Sequence, residues 1–449
     1  MDLLDGTTIN VASADIARDL HSTSTQLQWI LSGYSLTFAV GLVAGARLGD
    51  IFGRRRLFLI GVAGYLVTAV GCATSQSNEM LIAFRLAQGL AAALLIPQGL
   101  GLIKSVFAPR ELGKAISIFG PVIGLASVLG PVIGGLLVDA DLFGTDWRPV
   151  FLIHVPFGLA AAYGAIRFFP QSRVRPAPVL DLVGALLLAV FAGLIIYPLI
   201  QGRAADWPLW TFLMLAGSGV VFAGFLAWTR LRMRQGRDPL VTPSVFEHRA
   251  FSGGIIMTLV LFSAMIGAIF TLTVFLRFGQ RDSAIRAGLT LTPFAFGLSL
   301  GAVIASVFVV PRIGRTALQL GALLMAAGSL WTWQVVDSHG LETTAVQLIG
   351  AQLVVGIGIG VMLAPLINFV VSSARDAEVG SATGVFNSAQ QLASAAGVAI
   401  IGTVFFSVLT HDGFVTAYSR CLVIEAGLAI VLFGLTYLLP KRAPEVLDA

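Results

Sequence analysis

Apolar residues in this chain fall into long blocks. Thirteen stretches, near 27–46, 57–74, 80–103, 115–137, 150–169, 179–200, 209–229, 252–276, 287–310, 317–336, 345–371, 381–409 and 414–439, punctuate the sequence. Each is long enough to carry a helix through about 30 Å of hydrocarbon at about 1.5 Å per residue. Ahead of them, Met1 to Leu20 contains Asp2, Asp5, Asn10, Asp15, Arg18 and Asp19. That segment is too polar to span alone and reads as the second half of a first helix. The pattern predicts an all-α polytopic membrane protein of fourteen helices.

Composition supports this class. Hydrophobic residues make up 57% of the chain, charged residues 11%, and the mean hydropathy is +0.89, which excludes an ordinary soluble fold. The net charge of +5 points to basic loops on one side of a bilayer, not to nucleic acid. Scoring the 28 Lys and Arg residues by alternate loops puts twenty on one side, among them Arg54, Arg55, Arg56 and Arg230, and seven on the other, with Arg85 inside a span. Once the first helix is completed, this excess places both termini in the cytoplasm of a bacterial cell, with the chain in the inner membrane. Cys72 and Cys421 lie in apolar runs without metal-ligand spacing and read as buried small hydrophobes. There is no P-loop, His-Glu-x-x-His or nucleophile elbow in the sequence, so neither an enzyme nor an ATP-driven pump is indicated, and no cofactor or metal. Proton motive force remains as the energy source.

The Pro/Arg-rich stretch Pro170 to Pro178 and the polar run Arg230 to Arg249 bracket two spans that look inserted. This divides the chain into a six-helix bundle over 1–170, a two-helix insert over 171–249 and a second six-helix bundle over 250–449. A faint repeat agrees, since Arg312-Ile313-Gly314-Arg315 follows the tenth span much as Phe52-Gly53-Arg54-Arg55 follows the second, with Pro311 where Asp50 would stand. Repeated halves are characteristic of transporters.

Four stretches carry candidate chemistry. In Ala46-Arg47-Leu48-Gly49-Asp50-Ile51-Phe52-Gly53-Arg54-Arg55, Asp50 at a helix end can pair with arginine or cap a neighbour, and Gly53 permits a tight turn. A positive-inside anchor would explain the arginines but not Asp50 and Gly53. Arg85-Leu86-Ala87-Gln88-Gly89 places a guanidinium inside a span, where it must face a polar cavity or a carboxylate, or else snorkel to the interface. Gly120-Pro121, Gly124 and Gly130-Pro131-Val132-Ile133-Gly134-Gly135 let helices approach closely and bend, either to rock one half against the other or simply to pack. Leu4-Asp5-Gly6-Thr7-Thr8-Ile9-Asn10-Val11-Ala12 would set Asp5 at membrane depth, where desolvation favours a proton on a carboxyl group. Its nearness to the charged amino terminus also leaves it open to water.

These stretches resemble the fourteen-helix drug:proton antiporters of the major facilitator superfamily over nearly the whole chain. Ala46 replaces the first glycine of that family's loop motif, and Ser117 and Ala126 stand where its antiporter motif often has glycine. The resemblance implies a multidrug efflux permease, with Asp50, Gly53, Arg54 and Arg55 latching a cytoplasmic gate, and Gly124, Gly130, Pro131, Gly134 and Gly135 forming the pliable antiporter helix. Asp5 would be the first choice for the proton-coupling acid, and Arg85 would tune a nearby acid. Glu425, an acid midway along the last span, is the other coupling candidate, or a structural carboxyl. His154 reads as a satisfied packing histidine near the interface, and Asp181 as a helix cap. Asn10, Tyr34, Gln88, Asn387 and Gln391 are candidates to line a central cavity.

The resulting expectation is a monomeric, proton-coupled exporter of lipophilic or amphipathic small molecules working by alternating access, with substrate, protons and lipid bilayer as partners and no nucleic acid. A dedicated exporter of one endogenous metabolite is the alternative, and a non-transporting membrane sensor a more distant one.

Overall fold

The computed structural model describes residues 1–99, 102, 119–170, 181–237, 239–372 and 379–441, and among these no strand occurs. The principal helices in the N-terminal part are α1 (Asp2–Asp19), α2 (Ser24–Phe52), α3 (Arg54–Ala73), α4 (Asn78–Ala93), α5 (Phe119–Asp139) and α6 (His154–Phe168). Two more, α7 (Leu182–Gln201) and α8 (Leu209–Arg234), follow. The C-terminal part holds α9 (Arg249–Val274), α10 (Ala284–Ile304), α11 (Thr316–His339), α12 (Ala345–Ser372) and α13 (Val379–Leu435). The last two expected spans are the two arms of α13, separate helical segments that meet at Gly413, whose φ of 79° and ψ of 176° are not helical. Ten of the described helices are long and apolar enough to cross a membrane.

Local sequence explains where several helices begin. Thr23 opens α2 with a capping box, accepting from the Gln26 N–H at 3.2 Å while its own N–H donates to Gln26 Oε1 at 2.9 Å, and so satisfies two groups that would otherwise be orphaned. Ser77 caps α4 and Ser283 caps α10. Gly53, at φ 97°, makes the sharp turn between α2 and α3 that a side chain would resist.

Packing repeats between the two bundles. α4 packs on α2 and α3 as α12 packs on α10 and α11, while α5 lies on α1 as the first part of α13 lies beside α9. Both stretches of the short repeat send an arginine to the backbone of a later segment, though from non-equivalent places. Arg55 donates to the Ile166 carbonyl at the end of α6 at 2.7 Å, and Arg315, after Gly314, donates to the Leu439 carbonyl past the end of α13 at 2.9 Å.

The inserted pair sits at the seam. α7 packs on α2 of one bundle and α13 of the other, with Ile196 and Ile200 against Leu36, Ala395 and Ala399. α8 packs outside α7 and exposes Leu213 and Val220, a face suited to lipid. Asp181 caps α7 as expected, accepting from the Gly184 N–H at 2.9 Å. It also accepts from Trp228 Nε1 of α8 at 2.9 Å and from the Leu240 N–H at 3.2 Å, and lies 3.6 Å from Arg232. One carboxylate therefore joins both inserted helices to the chain that follows.

Asp181→Ala is expected to lower the thermal stability of the detergent-solubilised protein by more than the 0.5–2 kcal/mol or so typical of a lost cap. Asp181→Asn, which keeps a capping oxygen, should lose less; equal losses would show that charge alone carries this joint.

Candidate functional site

Arg85 comes from the middle of α4 and is 1% exposed, deep inside the N-terminal bundle. A guanidinium there must be compensated, since it stays charged and hydrocarbon offers it no solvation. Its Nη1 donates to both oxygens of Asp5 on α1, at 2.9 and 2.7 Å, and to Gln88 Oε1 at 2.7 Å, while Nε donates to the Ile30 carbonyl of α2 at 3.1 Å. The guanidinium also lies 4.6 Å from the centre of the Tyr34 ring, a cation–π distance. Tyr34 in turn donates its hydroxyl to Asp2 at 2.7 Å. Asp5 is thus buried, not open to water.

His154, at the start of α6, is fully buried with Nε2 3.4 Å from Asp5 Oδ1 and its ring edge-on to Tyr65 at 5.5 Å. Neither ring nitrogen has a hydrogen bond of ordinary geometry among the described residues. The expectation of a satisfied packing histidine near the interface is therefore corrected: His154 faces the buried acid. Its neighbour Pro156 and the apolar run around it masked this in the sequence, where helix faces are not visible.

The glycine-rich helix α5 lies between this node and the other bundle. A Cβ on Gly134 would come within 2.9 Å of Thr8 Cα, and one on Gly130 would strike the Thr7 hydroxyl, so this face admits α1 closely. The opposite face meets α10: a Cβ on Gly135 would lie 2.6 Å from Ile285 Cα, and one on Gly288 would strike the Pro131 carbonyl. At the end of α5, Asp139 accepts the N–H groups of Ala284 and Ile285 at 3.0 Å each, capping α10 from across the bundle boundary. Asp15 of α1 pairs with Arg277 beyond α9 at the same end. Gly124 lies within α5, but its surroundings fall outside the described residues, as does the position of Ser117.

A profile of the Major Facilitator Superfamily matches residues 1–184 and again 182–398. The chain belongs to this superfamily. Among its superfamily relatives is a protein of Streptomyces coelicolor named as a probable actinorhodin transporter, 40% identical over 409 residues covering 91% of this chain and 71% of that one. Another is the tetracenomycin C resistance and export protein of Streptomyces glaucescens, 32% identical over 410 residues, 91% of this chain and 74% of that one. In fold, a POT family transporter solved with 5-aminolevulinic acid matches with a TM-score of 0.66 over 100% of this chain and 95% of that one, at 12% identity. The chain is thus a multi-pass membrane protein of a transporter superfamily, with the superfamily's two-bundle fold.

The superfamily loop motif is also in place. Asp50 receives Arg54 Nη2 at 2.9 Å and Nε at 3.2 Å, and Arg47 donates to the Pro239 carbonyl at 3.3 Å, tying α2 to the chain after the insert. Asn10 is buried on α1 and donates to the Gly6 carbonyl at 2.5 Å. Asn387 and Gln391 are half-buried on the first arm of α13, and Glu425 is buried on the second arm, away from Asp5 and among residues of the C-terminal bundle. Asp2, Asp139 and the Asp15–Arg277 pair were not singled out in the sequence. Asp2 was legible in principle, lying three residues from Asp5 on the same helical face; the other three need the tertiary fold.

A double-mutant cycle tests the central pair. Arg85→Ala and Asp5→Ala should each destabilise the solubilised protein by about 3–5 kcal/mol, because each leaves a buried charge uncompensated. The double variant should lose less than the sum; strictly additive losses would mean that the two charges are not coupled.

Proposed function

We propose that this protein is a proton-coupled exporter of lipophilic or amphipathic small molecules, of the fourteen-helix antiporter branch, working by alternating access in a bacterial cytoplasmic membrane. The observation that carries the reading is the Asp5 carboxylate, 1% exposed and held by both oxygens on Arg85. A titratable acid at this depth has few uses other than moving a proton. Relatives named for the transport or export of antibiotics support the substrate class.

In this reading the paired arrangement is the deprotonated one. A proton reaching Asp5 neutralises it, and Arg85 keeps only Gln88, the Ile30 carbonyl and the Tyr34 ring as partners. That rearrangement moves α1 relative to α4, and α5, whose glycines seat it against α1, transmits the shift to α10. His154 at 3.4 Å is placed to pass the proton. Substrate entering from the cytoplasm displaces the proton, and reprotonation from outside resets the cycle.

In this reading the basic loops set the C-terminus on the cytoplasmic side, with the Asp50 loop latching the cytoplasmic gate. The Asp139 and Asp15–Arg277 contacts then lie on the outer side and hold the two bundles together there. A second reading, a dedicated exporter of one metabolite, is favoured by the single-compound names of the two Streptomyces relatives.

Everted membrane vesicles with an acid lumen test the reading. Several unrelated lipophilic compounds should release protons, and Asp5→Asn should abolish the release. A response to one compound alone would favour the dedicated exporter, and none to any compound would overturn coupling. The outer closure has its own test. Gly288→Val must push α10 off the Pro131 carbonyl at a cost of about 1–3 kcal/mol, shifting the balance toward the outward-open state by about 5- to 150-fold. A cysteine introduced by Thr8→Cys should then react faster with an external, membrane-impermeant maleimide; an unchanged rate would remove α5–α10 packing from the gate.

A further inference from the structure

The two bundles bury charge differently at equivalent places. Arg85 is the eighth residue of α4 and Gln352 the eighth of α12, and these helices pack in corresponding positions. Arg85 meets a carboxylate. Gln352 also shares a buried chamber with one, Glu425 of α13, together with Ser329 and Thr332 of α11 and Tyr418 of α13. The Thr271 hydroxyl of α9 is near the same carboxyl group and donates to the Gly267 carbonyl at 3.0 Å. No cationic side chain lines the chamber among the described residues. Glu425 is 2% exposed and Ser329 1%, and Glu425 Oε1 and Ser329 Oγ have no hydrogen-bond partner among those residues. The space accessible to a water centre is about 10 Å³, room for a single water.

We infer that this chamber is a second protonation site, in which Glu425 holds one proton and a single water completes the hydrogen bonds of Glu425 Oε1 and Ser329 Oγ. Where the N-terminal bundle supplies a guanidinium as the counter-charge, Gln352 supplies none. An ionised Glu425 would be a buried charge without compensation. A proton taken from the aqueous phase forms the O–H bond on the carboxylate and cancels the charge, and it leaves by the reverse step. The other titratable group facing the chamber is the Tyr418 hydroxyl, with Cys421 next to it on the same arm; the lining residues of α9, α10, α11 and α12 carry neither charge nor a titratable group. The inference rests on the proton-coupled reading for its place in transport, but loading of the site requires no transported substrate.

Infrared difference spectroscopy of the full chain in lipid nanodiscs, titrated over pH without substrate, tests it. A protonated-carboxyl band worth one group per chain should be present near neutral pH, vanish at alkaline pH, persist in Asp5→Asn and be absent in Glu425→Gln. Gln352→Arg, which recreates the N-terminal arrangement, should abolish the band at neutral pH while the helical spectrum is retained, so a misfolded Glu425→Gln would not end the test. Absence of any Glu425-dependent band across the titration, or an unchanged band in Gln352→Arg, overturns the inference. A band that appears only when sodium is removed also overturns it, assigning the chamber to sodium. Should vesicles show no substrate-coupled proton release while this band still titrates, the export reading fails and the chamber stands.

Discussion

A guanidinium that cannot give up its proton, placed where water cannot solvate it, is the constraint around which the N-terminal bundle is built. Arg85 demands an anion, and α1 supplies it in Asp5. Because α1 must come close enough for Nη1 to reach both oxygens at 2.9 and 2.7 Å, the helix behind it must be thin. α5 is thin, with Gly130 and Gly134 presenting backbone to Thr7 and Thr8. The ion pair and the glycine face are thus two parts of one arrangement, since bulk on α5 would displace α1 and with it Asp5.

The same helix turns its other side to the C-terminal bundle. Gly135 and Gly288 bring α5 and α10 into backbone contact, and Asp139 then caps α10 with two N–H groups. A cap of this kind is worth little by itself, about 1 kcal/mol, which would suit a contact that forms and breaks in the proposed cycle. The buried Asp15–Arg277 pair adds specificity of register more than net stability, because the cost of desolvating both charges offsets most of their attraction. Small energies on both counts keep two arrangements of the bundles within reach of a ligand's differential binding.

Much of the fold was legible because hydrocarbon imposes length and composition on every span. The thirteen apolar blocks, the cap at Asp181 and the turn at Gly53 all have counterparts in the structure, the last two blocks being helical arms that meet at Gly413. Among the site residues, Arg85 announced itself as a charge inside a span, and Asp5 as an acid near the chain start. Their pairing was not legible, since eighty residues of sequence separate them and periodicity reports a face, not its partner. His154 was set aside because a lone histidine in an apolar run has no signature of its own. Asp139 was not singled out, and only the approach of α10 gives it two donors.

The two bundles share a packing scheme but not a charge scheme, and that difference bears on how a pump can be built from a duplicated unit. If both halves carried a compensated ion pair, each would be locked in the same way and neither would respond to a proton at low cost. In this chain one half holds a carboxylate against a fixed positive charge, so neutralising it breaks strong hydrogen bonds and reorganises α1. The other half holds Glu425 beside Gln352, without a cationic side chain lining the chamber among the described residues, so a change in its protonation alters local hydration far more than helix position. In the proposed reading, protonating one acid in each half would therefore have unequal mechanical consequences, large on the α1 side and small on the α13 side. The glycine contacts of α5 with both α1 and α10 join the two halves directly, so in that reading the C-terminal half would serve as the frame against which α1 moves.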